Sequence, residues 1–240
     1  MQADLEMEHG IGRLTIRGPG ANSLTHPVFV DTRQLRRLLA DDSLRALVVT
    51  GHGRHFSSGA DTATLEKDLE DPDALARSLE KARAILDALS LAPVPTVAAI
   101  RGSCLGAGLE IALCCHTRIA SENAVLGFPE SSLGIVPGLG GMTRAAGVGH
   151  RGALVSLLLS GEMIPAVDAM EIGLVDMVVP TKDLEERARS HIETLLGDHP
   201  AHIVRAVVEA VNNARLLPRE EALAREAEIF LEVARSRDRT

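Results

Sequence analysis

The hydrophobic and polar positions of this chain change period several times, and each change marks an element. Ile11 to Arg17 alternates apolar and polar, the spacing of a half-buried strand, and the Gly-Pro-Gly run at 18–20 ends it. From Pro27 to Ala40 the apolar positions Val28, Leu35, Leu38 and Leu39 have helical spacing, with proline at the start, where its missing N–H costs nothing. Ala46 to Val49 is an unbroken apolar run closed by Gly51 and Gly53, which predicts a buried strand delivering its end to a loop. Between Asp73 and Leu91 apolar residues recur at 75, 79, 82, 85, 86 and 89, an amphipathic helix that stops before Pro93 and Pro95. Thr96 to Ile100 predicts a second buried strand, which leads through the glycines of 102–108 into a buried helix from Leu109 to Cys115.

Strand, glycine-rich turn and helix thus recur, and parallel strands need helical crossovers, so the fold class is α/β. Short strands are predicted at Thr117–Ala120, Ala124–Leu126 and Val175–Val179, and helices at Leu184–Leu196, His199–Val211 and Arg219–Ala234. The expected organisation is a core over residues 1–190 and a helical C-terminal region over 191–240 that makes oligomer contacts.

Composition narrows the function. With 45% hydrophobic and 24% charged residues over 240 positions, the chain has globular rather than disordered character. Four Phe and no Trp or Tyr leave an aliphatic core and little aromatic surface on which bases could stack. A formal charge of −8, from 25 basic and 33 acidic residues, has the wrong sign for a nucleic-acid partner. A local basic cluster for an anionic group such as coenzyme A is still compatible with that balance. Cys104, Cys114 and Cys115 form no disulfide framework and no zinc spacing. The N-terminal residues lack signal-peptide character and no run approaches 18 apolar residues, so a soluble, cytoplasmic protein without membrane contact is expected.

Two glutamates carry the candidate chemistry. Glu110 follows Gly106-Ala107-Gly108-Leu109, and Glu130 follows Gly127-Phe128-Pro129. Two placed carboxylates divide acid and base work, and backbone exposed beside them offers N–H donors to developing negative charge. Competing motifs fail on spacing. The third glycine of a dinucleotide fingerprint would fall at Ile111, no lysine completes a phosphate loop around Gly138–Gly141, His52 and His55 lack a completing ligand set, and Ser57 and Ser58 do not sit in a nucleophile elbow. No metal site is expected.

Four blocks, in order, tie these residues together: Ala21-Asn22-Ser23-Leu24; His55-Phe56-Ser57-Ser58-Gly59-Ala60-Asp61; Ile100 to Glu110; and Phe128 to Gly141. In sequence and spacing they resemble the crotonase (enoyl-CoA hydratase/isomerase) superfamily, and Ala169 to Asp176 resembles its helix-to-strand junction. The resemblance covers nearly the whole chain. It implies a crotonase-like spiral of repeated ββα units with a helical C-terminal region, assembled as a homotrimer or dimer of trimers and binding an acyl-CoA thioester.

By position, the resemblance implies an oxyanion hole from the backbone N–H groups of Ser58 and Ala107, with the Ser58 hydroxyl incidental. It places Ala21, Ser23, Ser58, Gly59, Ala60, Asp61, Gly106 and Phe128 against substrate or CoA, Phe128 as a lining of the acyl pocket. Glu110 and Glu130 match the two glutamates of the hydratase branch, which implies syn hydration of a 2-enoyl-CoA to a 3-hydroxyacyl-CoA in lipid and fatty acid metabolism. Glu110 would activate water and Glu130 would protonate C2, a division that the residues alone do not fix. No cofactor is expected beyond the coenzyme A of the substrate. The alternatives are an isomerase using Glu130, a dehydratase or decarboxylase acting on carrier-protein-bound acyl groups, and a non-catalytic acyl-CoA binder. Relatives of this superfamily commonly continue past the counterpart of Ser236–Thr240, so a more open acyl pocket or fewer subunit contacts are expected here.

Overall fold

A computed structural model describes residues 2–237, and of the 236–240 segment only the backbone of 236 and 237 lies within it. The chain opens with β1 (Ala3–Glu8) and β2 (Ile11–Ile16), an antiparallel hairpin turned by His9 and Gly10, both at positive φ. A helical turn α1 (Pro19–Asn22), α2 (Thr32–Leu39), β3 (Ala46–Gly51), α3 (Thr62–Asp68) and α4 (Pro72–Ser90) follow. Next come β4 (Thr96–Ile100), β5 (Ser103–Leu105), α5 (Ala107–Ala112), β6 (Thr117–Ser121), β7 (Val125–Gly127) and a 3-10 turn at Pro129–Leu133. The chain then runs through α6 (Gly141–Ala146), α7 (Arg151–Ser160), β8 (Met163–Pro165), α8 (Ala166–Glu171) and β9 (Met177–Val179). It finishes in α9 (Leu184–Leu196), α10 (Ala201–Leu216) and α11 (Arg219–Arg237).

Six strands form one sheet in the order β1-β2-β3-β4-β6-β9, parallel beyond the hairpin, and β5, β7 and β8 form a second, smaller sheet. The spiral follows from this division. Consecutive strands β4 and β5, then β6 and β7, each send one member to each sheet before the chain turns away. Strands β3 and β4 are buried at every residue, so their unbroken apolar runs have two faces to fill. Leu47, Val49, Ala98 and Ile100 pack into the main core, while Ala46, Val48, Val97 and Ala99 pack against Leu184, Ala188 and Ile192, one stripe of α9. Burying each large side chain contributes about 1.5–3 kcal/mol. The expected boundary at 190/191 falls inside α9, whose stripe crosses it to seal the sheet.

Three readings of the pattern shift. Strand β1 departs from the expectation because its sequence, ADLEME, is half polar; it is held by pairing with β2, with Ala3 and Leu5 on alternate positions half-buried against the main core. The first long helix begins at Thr32, not Pro27, since Asp31 caps it by accepting from the N–H groups of Arg33 and Gln34 at 2.8 and 3.0 Å. Ahead of it, Phe29 and Val30 are fully buried in the core from an irregular segment. The buried helix predicted from Leu109 starts at Ala107, which brings the first turn of α5, and its unpaired N–H groups, next to Gly106.

Candidate active site

The segment after β2 laces the loop after β3 into shape. Asn22, itself at φ 57 and buried, donates through Nδ2 to the carbonyls of His52 and His55 at 2.9 and 2.7 Å. The Ser57 hydroxyl donates to the Asn22 carbonyl at 2.8 Å and accepts from the Gly59 N–H at 3.1 Å. Ser58 N–H donates to the Ala21 carbonyl, Leu24 N–H to Gly59, and Asp61 N–H to Leu24, all within 2.9 Å. One donor in this run is left over. Ala60 N–H has no protein acceptor among the described residues, and Ala60 is exposed into a cavity of about 510 Å³.

A second free donor faces the same cavity. Gly106 takes φ 50 and ψ −122, a conformation costly for any residue with a Cβ, and donates to the Gly127 carbonyl at 2.9 Å. Its successor Ala107 begins α5, and its N–H likewise has no protein acceptor among the described residues. The two loops are pressed together: a Cβ on Gly59, at φ 86, would stand 3.2 Å from the Ala107 nitrogen. The expected donor pair is therefore corrected. Ala107 stays, but Ser58 spends its N–H on the Ala21 carbonyl, and the unpaired donor two residues on is Ala60.

Both glutamates line this cavity. Glu110, in the first turn of α5, is 2% exposed, and its Oε1 accepts from the N–H groups of Leu139 and Gly141 at 2.8 and 2.7 Å. Burial raises its pKa, opposed by those two hydrogen bonds and by the charges of Arg144 and Arg83. Glu130, on the 3-10 turn, has a buried Oε2 with no hydrogen-bond partner among the described residues, and its Oε1 lies where a Cβ on Gly106 would come within 2.8 Å. Burial pushes its carboxyl up to about 7; its own backbone N–H opposes the rise and the Glu110 charge adds to it. The pair is thus asymmetric. Burial raises both carboxyls, but two peptide donors of the 138–141 loop oppose the rise at Glu110, whereas at Glu130 only its own backbone N–H does.

Of the other expected contacts, Ser58, Ala60, Asp61 and Gly106 line the cavity, whereas Ala21, Ser23 and Gly59 do not. Ala21 and Gly59 instead use their carbonyls to hold the loop. Phe128 does not line the acyl space as expected. It is fully buried in the main core, where its ring edge would meet a Cβ on Gly141 at 2.9 Å, so it backs the loop that holds Glu110. Sequence reasoning missed the apolar wall, formed by Leu65 and Leu69 at the end of α3, Leu75 and Leu79 on α4, and Leu133 and Val136 beyond Glu130. The spacing of 75 and 79 marks a helix face, but nothing in it says that part of that face lines a cavity.

Two sheets wound as a spiral, with one buried and one half-buried carboxylate and two peptide donors unpaired among the described residues in one apolar cavity, define an enzyme of the crotonase class. The family model described as enoyl-CoA hydratase/isomerase matches residues 6–240. A Bacillus subtilis protein described as a probable enoyl-CoA hydratase is 32% identical over 98% of this chain and 91% of its own length. An Escherichia coli 2,3-dehydroadipyl-CoA hydratase is 34% identical over 94% of this chain and 88% of its own. Among solved structures, an enoyl-CoA hydratase from Geobacillus kaustophilus superposes with a TM-score of 0.88 at 30% identity, covering 100% of this chain and 92% of that one. A Thermobifida fusca relative in complex with CoA gives 0.86 at 25% identity, covering 100% and 95%. The chain belongs to the enoyl-CoA hydratase/isomerase family.

Proposed function

We propose that this protein is an enoyl-CoA hydratase, a hydro-lyase that adds water reversibly and syn across the C2–C3 double bond of a 2-enoyl-CoA. The observation that carries the reading is the joint presence of Glu110 and Glu130 in the cavity that also receives the N–H groups of Ala60 and Ala107. The thioester oxygen would accept from both donors, which are preorganised and add no reorganisation as enolate charge develops. One such donor typically contributes on the order of 10²–10³ in rate, and the N-terminus of α5 adds its dipole.

Glu110, whose charged form two peptide donors favour against burial, takes a proton from water as the water oxygen bonds to C3. Glu130, which keeps its proton to about pH 7, delivers it to C2. The product is a 3-hydroxyacyl thioester, and transfer of the proton from Glu110 to Glu130 resets the pair. Carboxylates and peptide dipoles supply the whole of this chemistry, so we assign no metal or redox cofactor, and coenzyme A enters as part of the substrate. The relative solved with CoA supports an acyl-CoA substrate over one carried by protein.

The walls support an uncharged acyl group. All charged side chains among the cavity-lining residues are acidic: Asp61, Asp68, Glu110 and Glu130. An acyl chain ending in a carboxylate would find no cation there and would lose its own hydration. In this respect we place the protein apart from the relative named for 2,3-dehydroadipyl-CoA. Assembly as a trimer or paired trimers fits the exposed apolar residues, such as Leu159 at 76% and Phe230 at 70%, which a subunit interface would cover. We place the protein in the cytoplasm; no helix among the described residues is long and apolar enough to cross a membrane.

The test is turnover of a methyl-terminated 2-enoyl-CoA, followed by loss of the conjugated enoyl absorbance and by identification of the 3-hydroxyacyl product. No hydration across short, medium and long chains would overturn the reading. Double-bond isomerisation that survives Glu110→Gln would assign the isomerase branch instead.

A further inference from the structure

Glu110 is held by a loop, and that loop is itself held by two cations outside the cavity. Arg83 on α4 donates through Nε to the Gly138 carbonyl at 2.9 Å. Arg144 on α6, 13% exposed, donates through Nη1 to the Leu139 carbonyl at 2.6 Å. Its remaining nitrogens are anchored on α4, Nη2 to Asp87 at 2.7 Å and Nε to the Ser90 hydroxyl at 3.1 Å. Neither arginine lines the cavity. We infer that Arg83 and Arg144 are positioning residues for the reaction, gripping the carbonyls of the 138–141 loop so that its N–H groups orient Glu110 as the base.

Covalent geometry makes the connection direct. The carbonyl of Gly138 and the N–H of Leu139 belong to one planar peptide group. Arg83 binds the oxygen end at 2.9 Å, and Glu110 Oε1 accepts from the nitrogen end at 2.8 Å, so cation, peptide dipole and anion form one chain. Hydrogen bonds in such a chain polarise one another. Arg144 fixes the next carbonyl, that of Leu139, and with it the approach to Gly140 and Gly141. Gly140, at φ 94, leaves room for this, since a Cβ there would stand 2.6 Å from Arg144 Nη1. The Gly141 N–H then reaches the same Oε1 at 2.7 Å.

The groups that face Glu110 are few. From the 3-10 turn, Glu130 brings negative charge or a proton; from α4 and α6 come Arg83 and Arg144, both stabilising the Glu110 carboxylate. Asp87 neutralises part of Arg144 from its outer side, and Cys114, just past the end of α5, donates to the Glu110 backbone carbonyl at 3.3 Å. Removing either arginine therefore shifts Glu110 toward its protonated form, in which it cannot take a proton from water.

The inference rests on the hydratase reading for its kinetic consequence but not for its physical one, and the experiment has an arm for each. In Arg83→Gln, an exposed substitution that leaves the core untouched, kcat falls on the order of tenfold with KM within about twofold. The acid limb of the kcat profile, below which Glu110 is protonated, moves to higher pH. Arg144→Gln does the same more strongly, and Arg144→Lys, which keeps the charge and loses the fork, restores most of the limb position but not the full kcat. Independently of turnover, the Glu110 carboxyl resonance, assigned by its loss in Glu110→Gln, titrates at higher pH in both Gln variants. An unmoved Glu110 titration in folded Arg83→Gln overturns the inference. A wild type that hydrates no enoyl thioester sinks the functional reading instead and leaves the titration arm to decide this one.

Discussion

Replacing Glu130 by Gln should make the protein more stable while it destroys the activity, and the gain should depend on pH in a defined way. In the folded chain burial holds the Glu130 proton up to about pH 7, whereas the unfolded chain releases it near 4.5. Between these values the native state binds more protons than the unfolded state, so stability falls as pH rises through the window, and the full loss is present above pH 7. A gap from 4.5 to about 7 corresponds to about 3 kcal/mol at about 1.36 kcal/mol per pH unit. Glu130 is only half-buried, and solvent screening reduces the expected figure to about 2 kcal/mol. Glutamine fills the same space without a proton to lose. Urea unfolding of both proteins at one fixed protein concentration, from about pH 4 to about pH 8.5, measures the difference directly. The stability of Glu130→Gln relative to wild type should be nearly flat at the acid end and rise by about 2 kcal/mol through the window. A difference that does not change with pH would refute the reasoning, because a constant offset reports packing and not a buried proton.

The same proton should appear in the kinetics: kcat/KM for hydration should fall as pH rises through about 7, and an alkaline limb absent up to pH 9 would contradict Glu130 as the acid. Gly141→Ala places a Cβ 2.7 Å from Glu110 Cγ and 2.9 Å from its Oε1, at a backbone conformation alanine can adopt, so Glu110 must move off its donors. The loss in kcat should be on the order of 10²-fold in a protein that circular dichroism shows to be folded; full activity would show that those hydrogen bonds do not matter. With matched eight-carbon substrates, kcat/KM for the methyl-terminated 2-enoyl-CoA should exceed that for its ω-carboxylated counterpart by on the order of 100-fold. Asp68→Asn should narrow that ratio, and equal turnover of the two substrates would remove the proposed acyl class.

Much of this was legible because the candidate site residues lie in local motifs whose glycines are required by the backbone they build. Gly106 and Gly59 stand at positive φ between strand and helix, and the residues around them mark the donor loops in any reading of the chain. The buried strands β3 and β4 were equally plain, since an apolar run fixes burial on both faces. What could not be read was competition between distant groups. Whether Ser58 or Ala60 offers a free N–H depends on the carbonyl of Ala21, more than 30 residues away in the chain, and hydrogen-bond accounting settles it only in three dimensions. Phe128 failed for a related reason: an aromatic residue beside a catalytic loop suits a core as well as a pocket, and only the position of Gly141 decides. Arg83 and Arg144 carried no signal at all, because they act through backbone carbonyls, which any sequence possesses.

If Glu110 and Glu130 work as one unit on a thioester held by Ala60 and Ala107, their removal should not be additive. The set Glu110→Gln, Glu130→Gln and the double variant, assayed for hydration of a medium-chain 2-enoyl-CoA with folding checked in each, measures this. Each single variant should lose on the order of 10³-fold or more in kcat, and the double variant should lose little beyond the worse single one, as groups that act together do. Either single variant retaining most of the wild-type turnover would contradict the account.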